Sequence, residues 1–256
     1  MSFKRLFLIG LFSFFIGLCI YAPAQMMGII LNQISNGRLS LADTEGSFWL
    51  GNAHLLMNSD NQLINTSQPI ETIDVGRVSW DTQTMQLLVG KFAVSLTLNQ
   101  GTPFWITVDS SRVHIEHAAF NLPANIVSIL IPTLKPAQLG GQLEVRCNNF
   151  SLTQQEILGQ LNIDWSQASS SLSNINPLGN YHANLNGNGA GLSIQLNTVS
   201  TGPLLLSGNG SWDPSDGLHF EGTAEAGAEE KQQLQALLRV MGNEIIVGSG
   251  KYQLRF

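Results

Sequence analysis

The chain has 256 residues, of which 43% are hydrophobic and only 12% are charged, and its net charge at pH 7 is −6. Nucleic-acid binding needs clustered cations to neutralise phosphates, and the only adjacent basic pair is Lys4-Arg5, so a nucleic-acid partner is excluded. The two cysteines, Cys19 and Cys147, lie in an apolar run and on a predicted strand. Neither a disulfide framework nor a CxxC metal site is therefore expected.

The N-terminal segment, residues 6–21, is apolar and follows the Lys4-Arg5 pair. It fits either a cleaved signal peptide, with Ala22-Pro23-Ala24 as the small-x-small site, or a membrane-spanning helix. Apolar residues continue beyond this site at helical spacing, which favours an uncleaved anchor. We predict an anchor over residues 1–23 and an amphipathic juxtamembrane helix over 24–36. The basic pair then places residues 37–256 in the periplasm, so the protein is expected to cross the inner membrane once.

From about residue 37 onward, alternating apolar and polar residues predict β-strands. The clearest alternation puts Leu88, Gly90, Phe92, Val94, Leu96 and Leu98 on one strand face. Polar, glycine-rich turns separate this stretch from several similar ones, as at residues 186–189 and 213–217. The fold class that follows is mainly β, with an elongated and bent antiparallel sheet.

Two short helices interrupt the predicted strands. The first has Asn121 as its N-cap, contains Pro123 near its start and ends before Pro132. The second begins near Glu229 and ends before Gly242. Its apolar stripe consists of Leu234, Leu237, Leu238 and Met241. We expect the sheet to have an apolar concave face covered by both helices, with the second acting as a plug or lid.

The periplasmic domain divides into two similar halves, at about residues 37–135 and 136–256. Val78-Ser79-Trp80 in the first half corresponds to Ile163-Asp164-Trp165 in the second. An apolar-Gly-x-aromatic step follows each, ending at Phe92 and at Tyr181, and each half closes with one of the helices. Two weak copies also leave coincidence as an alternative to duplication.

Several motifs occur in a specific order. They are Gly46-Ser47-Phe48-Trp49-Leu50-Gly51-Asn52-Ala53, Val78-Ser79-Trp80, Gly140-Gly141-Gln142-Leu143, Asp164-Trp165, Pro177-Leu178-Gly179-Asn180-Tyr181 and Leu206-Ser207-Gly208-Asn209-Gly210-Ser211-Trp212. In this order the chain resembles the type II secretion system protein N family over nearly its whole length. The resemblance implies an inner-membrane accessory subunit, with a periplasmic domain, of the machine that exports folded proteins across the outer membrane. The family is not known for catalysis. Nine motif positions are interpreted as packing and turn residues: Trp49, Gly51, Trp80, Gly90, Phe92, Trp165, Gly179, Tyr181 and Trp212.

No catalytic, cofactor-binding or metal-binding residue is assigned. His114, Glu116 and His117 resemble a ligand cluster, but on a strand His117 points away from the other two. The sequence therefore predicts a protein that is not an enzyme and carries no cofactor.

Two functions remain in competition. In one, the protein is a scaffold or assembly subunit whose exposed sheet edges pair with other secretion subunits. In the other, its apolar concave face forms a groove that binds or transfers lipid. The predicted partners are secretion subunits and the inner membrane, with lipid as the alternative.

Overall fold

The structure, a computed structural model, describes residue 17 and residues 21–58, 72–153 and 155–255. In this part of the chain, fifteen strands form one antiparallel sheet, which confirms the mainly β prediction. The strands are β1 (Leu39–Gly46), β2 (Leu50–Asn58), β3 (Thr72–Thr82), β4 (Phe92–Leu98), β5 (Phe104–Val108), β6 (Arg112–Glu116), β7 (Ala118–Pro123), β8 (Leu139–Thr153), β9 (Ile157–Ser170), β10 (Gly179–Gly189), β11 (Leu192–Thr198), β12 (Leu204–Asp213), β13 (Gly217–Ala226), β14 (Gly242–Glu244) and β15 (Lys251–Arg255).

Most strands pair with their neighbours in sequence, as expected for a meander. The order across the sheet is β1-β2-β3-β4-β5-β6-β8-β9-β10-β11-β12-β13-β15-β14, and β7 also pairs with β8. Strands β6 and β7 follow one another along the same side of β8, pairing with its C-terminal and N-terminal parts in turn. His117 lies at the break between them with φ of 46°.

The described helices are few and short. They are α1 (Gln25–Ile34), α2 (Val127–Leu130) and α3 (Lys231–Met241), with 3-10 turns at Thr84–Val89, Ala124–Ile126 and Pro132–Ala137. Within residues 17, 21–58, 72–153 and 155–255, none of the helices is long and apolar enough to cross a membrane. Most of the predicted anchor, residues 1–16 and 18–20 with Cys19, lies outside the described residues, as does Phe256.

Pairing across the sheet separates an apolar face from a polar one, because directly opposed residues in neighbouring strands share a face. One cross-strand row is apolar or glycine throughout, from β7 to β15: Phe120, Val145, Ile163, Ala183, Leu196, Gly208, Gly222 and Leu254. The adjacent row is polar throughout: Asn121, Glu144, Asp164, His182, Asn197, Ser207, Thr223 and Gln253. Side chains of this second row hydrogen-bond to one another, as between His182 and Asp164 at 2.7 Å. The second row therefore gives the sheet a polar face.

Two predicted boundaries are wrong. The alternation at residues 88–98 predicted a strand from Leu88, but residues Thr84–Val89 form a 3-10 turn and β4 begins at Phe92. Gly90, with φ of 73°, ends that turn in the left-handed region, which glycine adopts without steric penalty. Asn121 does not cap a helix. It pairs with Glu144 in the polar row of β7 and β8, and helical structure begins only at Ala124.

Both edges of the sheet are partly covered within the described residues. On the outer side of β1, the Leu39 N–H donates to Ser35 Oγ at 2.9 Å. At the other end of β1, the Phe48 N–H donates to the Ala22 carbonyl at 2.8 Å. The opposite edge strand, β14, has only three residues. Short or blocked edge strands leave little free ladder for a partner strand.

Candidate functional site: an apolar groove

An apolar groove lies on the apolar face of the sheet, beneath the helices. Its cavity volume is about 280 Å³, near the lower end of the range for ligand pockets, about 300–1,000 Å³. The strand residues that line it are Leu139, Leu143, Ile163, Trp165, Tyr181, Ala183, Leu185, Ile194, Leu196, Leu204, Leu206, Leu218, Phe220 and Leu254. These residues belong to seven strands, β8 to β13 and β15, so the face must be concave here to bring them around one space.

The helices close the groove from above, as the sequence predicted for the concave face. Val127, Leu130, Ile131 and Leu134 line it from α2 and the turn that follows. Leu237 and Met241 line it from α3, whose Leu234, Leu237 and Leu238 are fully buried. Leu130 is 61% exposed, so this side of the groove reaches the surface. Helix α3 therefore acts as a packed cover, while α2 borders an opening.

The groove presents hydrocarbon almost exclusively. Trp165 and Tyr181 bring the only polar side-chain atoms among the lining residues, and both atoms are already paired. The Trp165 Nε1–H donates to the Gly140 carbonyl at 3.1 Å, and the Tyr181 hydroxyl donates to the Leu204 carbonyl at 2.9 Å. Burial raises the pKa of Tyr181, so its hydroxyl stays protonated and neutral at physiological pH. A ligand of this groove would have to be apolar where it is enclosed.

The region around Trp80 repeats this tryptophan geometry around a buried ring. The Trp80 Nε1–H donates to the Phe48 carbonyl at 3.1 Å, just before β2, as Trp165 donates near the start of β8. A Cβ atom on Gly51 would lie 2.6 Å from the Trp80 ring, so only glycine allows the ring to pack so closely against β2. Trp80 is 3% exposed and packs with Ala24, Ala53 and Val94. This part of the apolar face is filled.

A family model for the type II secretion system (T2SS), protein N, matches residues 37–255. The chain belongs to this family. It is therefore an accessory component of the type II secretion machinery in the bacterial envelope, associated with the other subunits of that machine. No significant match was found among curated proteins or among solved structures.

The remaining motif residues of this protein N family member are placed around the two tryptophans. Trp49 precedes β2, contacts Phe48 edge-on with ring centroids 4.9 Å apart and accepts a backbone hydrogen bond from Thr82. Phe92 begins β4 beside Phe48, at a centroid distance of 6.3 Å. Gly179 lies against the Tyr181 hydroxyl, where a Cβ would approach to 2.9 Å. Trp212, on β12, is 36% exposed and belongs to neither group.

The polar residues singled out from the sequence do not form a shared site. His114 Nε2 lies 3.4 Å from Glu116 Oε1, and His117 sits at the break between β6 and β7. Among the residues that the structure describes, no group of three or more His, Cys, Asp or Glu side chains could hold a metal ion. Cys147 is 4% exposed, and burial raises the pKa of its thiol.

The sequence predicted an apolar concave face beneath the helices, but it did not show which residues of that face surround open space. Ala183 and Ile194 line it although neither belongs to a motif. Alternation assigned them to an apolar face, but pairing register and curvature decide which members of that face surround an open space. Ala183 is smaller than Ile163 and Leu196, which lie directly opposite it on the neighbouring strands, and this was the available signal.

Proposed function

We propose that the protein is a non-catalytic accessory subunit held in the inner membrane by residues 1–23, with its β-domain in the periplasm. There it supports assembly or function of the machine that exports folded proteins across the outer membrane. Membership of the protein N family supports the secretion role. The inner-membrane anchor is supported by the basic and apolar N-terminal sequence.

The observation that carries the proposed subunit contact is the outer surface of α1. This helix has no charged residue, and no residue in it is buried. Met27 and Gly28 face β1 and β2, whereas Ile29, Ile30 and Ile34 are 59%, 38% and 76% exposed. An uncharged apolar stripe of this kind marks an interaction surface. Because β1 is covered at both ends and β14 has only three residues, we assign the contact with other inner-membrane subunits to this stripe rather than to strand pairing.

Site-specific photocrosslinking in cells tests this contact. A photoreactive residue in place of Ile29 or Ile34 is expected to crosslink to other secretion subunits. The matched controls are Val247, which is equally apolar and 94% exposed, and Gln195 on the exposed surface of β11. Normal membrane abundance without any secretion-subunit adduct from the α1 positions would contradict the assignment.

The groove supports a second function, lipid binding or lipid transfer. Its lining offers no unpaired polar side-chain atom, and its size suits part of an acyl chain better than a polar metabolite. Native mass spectrometry and organic extraction of the purified full-length protein test this function. Lipid should accompany the wild type and be reduced in Ala183→Phe, which fills the groove. Equal amounts of lipid in both proteins would place any bound lipid elsewhere.

We also propose that the two halves are structurally similar units. The matching hydrogen bonds of Trp80 and Trp165 support this proposal, because each indole N–H donates to a carbonyl near the start of the preceding strand. If the halves are equivalent, exchanging the two tryptophan-bearing hairpins should give a folded protein. An exchange that abolishes cooperative unfolding would count against equivalence.

A further inference from the structure

Four chain segments meet at one end of the sheet. Gly46 at the end of β1 pairs with Gly51 near the start of β2, and Leu50 pairs with Asp81 near the end of β3. Pro23 forms a bridge with Ser47 at the same end. The 3-10 turn at Thr84–Val89 then connects β3 to β4 there. The chain that follows the predicted anchor therefore enters the fold beside this turn.

This end of the sheet exposes large apolar side chains. Tyr21 is 85% exposed and Leu50 is 63% exposed. In the 3-10 turn, Met85, Leu87 and Val89 are 77%, 39% and 72% exposed. Because β1 to β4 are neighbours, these side chains span three strand spacings, about 14 Å. They are grouped at one end of β1 to β4, and this group is called the anchor-end surface below.

The other turns at this end of the sheet are polar. In the turn after β5, Asp109 accepts hydrogen bonds from the Ser111 N–H and hydroxyl, which lower the pKa of the Asp109 carboxyl. In the turn after β12, the Ser215 hydroxyl and N–H likewise lower the pKa of Asp213. These carboxylates are ionised and solvated at neutral pH. Leu152, Leu158 and Trp212 are also exposed farther along this end, but among the described turns here the one after β3 exposes the most apolar side chains.

We propose that the anchor-end surface rests in the interface of the phospholipid bilayer, as a second membrane contact remote in sequence from the anchor. The proposal rests on the proposed inner-membrane location. The anchor-end surface is continuous in sequence with the predicted anchor, because Tyr21 directly follows the apolar residues 6–20. The bilayer that holds residues 6–20 would therefore lie beside this surface. Aromatic side chains such as Tyr21 are favoured at the level of the lipid headgroups.

Hydrophobic insertion, not headgroup charge, dominates this contact. Among the exposed residues near the turn and Leu50, Lys91 is basic and Asp81 and Glu45 are acidic, so no basic cluster is present to bind anionic headgroups. The contact should therefore form equally on zwitterionic phosphatidylcholine vesicles and on vesicles that also contain phosphatidylglycerol.

Spin labelling of the full-length protein in such vesicles tests the proposal. Nitroxide labels are attached to single cysteines at Met85 or Val89, in a Cys19→Ala background in which Cys147 is protected by burial. Controls carry the label at Val199 or Val247, which are 63% and 94% exposed at the opposite end of the sheet. A further label at Ser13 reports on the anchor itself. Collision rates with oxygen, which concentrates in lipid, and with a water-soluble nickel complex are measured at each position.

The labels at Met85 and Val89 are expected to gain oxygen accessibility and lose nickel accessibility relative to both controls. A lipid-exposed label at Ser13 with water-exposed labels at Met85 and Val89 overturns this contact and leaves the anchor intact. A water-exposed label at Ser13 overturns the inner-membrane anchor as well. Labels at Met85 and Val89 shielded from both reagents indicate a protein contact and also overturn the proposal.

A paired substitution gives an independent readout. A label at Leu50 should lose its oxygen accessibility in the double variant Met85→Gln/Val89→Gln. The matched control, Ile246→Gln/Val247→Gln, changes two exposed apolar residues in the loop before β15 and should leave that label unchanged. All substituted positions are exposed, so the folded domain tolerates them. Equal behaviour of the two double variants would refute insertion of the turn.

Discussion

The region around Trp80 and the region around Trp165 use the same local arrangement with different results. In both, an indole N–H on one strand donates to a carbonyl near the start of the preceding strand. Around Trp80, a glycine brings the ring against the neighbouring strand, and the ring is almost fully buried. Around Trp165, the ring is partly buried and faces the groove beneath α2 and α3.

The difference shows what each region contributes. A filled apolar face adds stability in proportion to the area that it removes from water. An open apolar face gives up part of that stability, and such a loss is typical of a surface kept for a ligand or a moving part. The Trp80 region is therefore a filled core next to the predicted anchor, whereas the Trp165 region keeps open apolar space.

The largest expected effect separates the two tryptophans directly. Trp80→Ala should lower the free energy of unfolding by about 3–5 kcal/mol, because it leaves a cavity in a filled core. Trp165→Ala should lower the free energy of unfolding by a smaller amount than Trp80→Ala, with a difference of at least about 1 kcal/mol, because the Trp165 ring already borders open space. Urea unfolding followed by circular dichroism measures both. Equal costs would mean that the groove is not open in solution.

Enlarging an alanine tests the comparison from the opposite direction. Ala53 is 1% exposed and packs beside Trp80, so Ala53→Phe should cost about 1–3 kcal/mol through overpacking. Ala183 lines the groove, so Ala183→Phe should change the free energy of unfolding by less than about 1 kcal/mol. Thermal and urea unfolding of both variants provide the measurement. Severe destabilisation by Ala183→Phe would show that the space around this residue is filled.

A smaller effect concerns the hydroxyl group in the groove wall. Tyr181→Phe removes the hydrogen bond to the Leu204 carbonyl and should cost about 1 kcal/mol. The matched control is Phe104→Leu, a buried apolar change outside the groove that leaves all hydrogen bonds in place. Urea midpoints at neutral pH give both values. A stability equal to wild type in Tyr181→Phe would mean that the Leu204 carbonyl finds another donor.

The smallest effect appears only at alkaline pH. Because burial raises the pKa of Tyr181 in the folded state, the folded protein keeps a proton that the unfolded chain releases above about pH 10. The resulting stability is fully present below that pH and is lost as the pH rises further. The urea midpoint of wild type should therefore fall more steeply between about pH 9 and pH 11 than that of Tyr181→Phe. Parallel curves would contradict the burial of this hydroxyl.

The sequence predicted the parts of the fold that depend on local pattern. Helix α3 ends before Gly242 and buries Leu234, Leu237 and Leu238, as the spacing of its apolar residues indicated. That spacing matches the 3.6-residue period of an α-helix and not the two-residue period of a strand. The start of β4 was missed because alternation of apolar residues also occurs by chance across a 3-10 turn. Asn121 was misassigned because its preference for helix caps was outweighed by pairing with β8.

The apolar concave face was predicted, but the residues that surround its open space were not, for a different physical reason. Alternation assigns a residue to a face, but the polar and apolar rows across the strands exist only once every register is set. Ile163 and Ala183 are neighbours on that face, although twenty positions separate them in sequence. Whether the space above them is filled depends on where α2 and α3 come to lie, which involves contacts between distant parts of the chain.

The partly covered edges of the sheet limit the addition of strands from other copies of the chain. An antiparallel sheet with two bare edges is a template to which further copies can add without end, as in a fibril. Ser35 at one end of β1 and Ala22 at the other hinder strand addition on one side, and the short β14 offers few backbone groups on the other. The segment that follows the predicted anchor thus also limits further strand addition at one edge of the fifteen-stranded sheet.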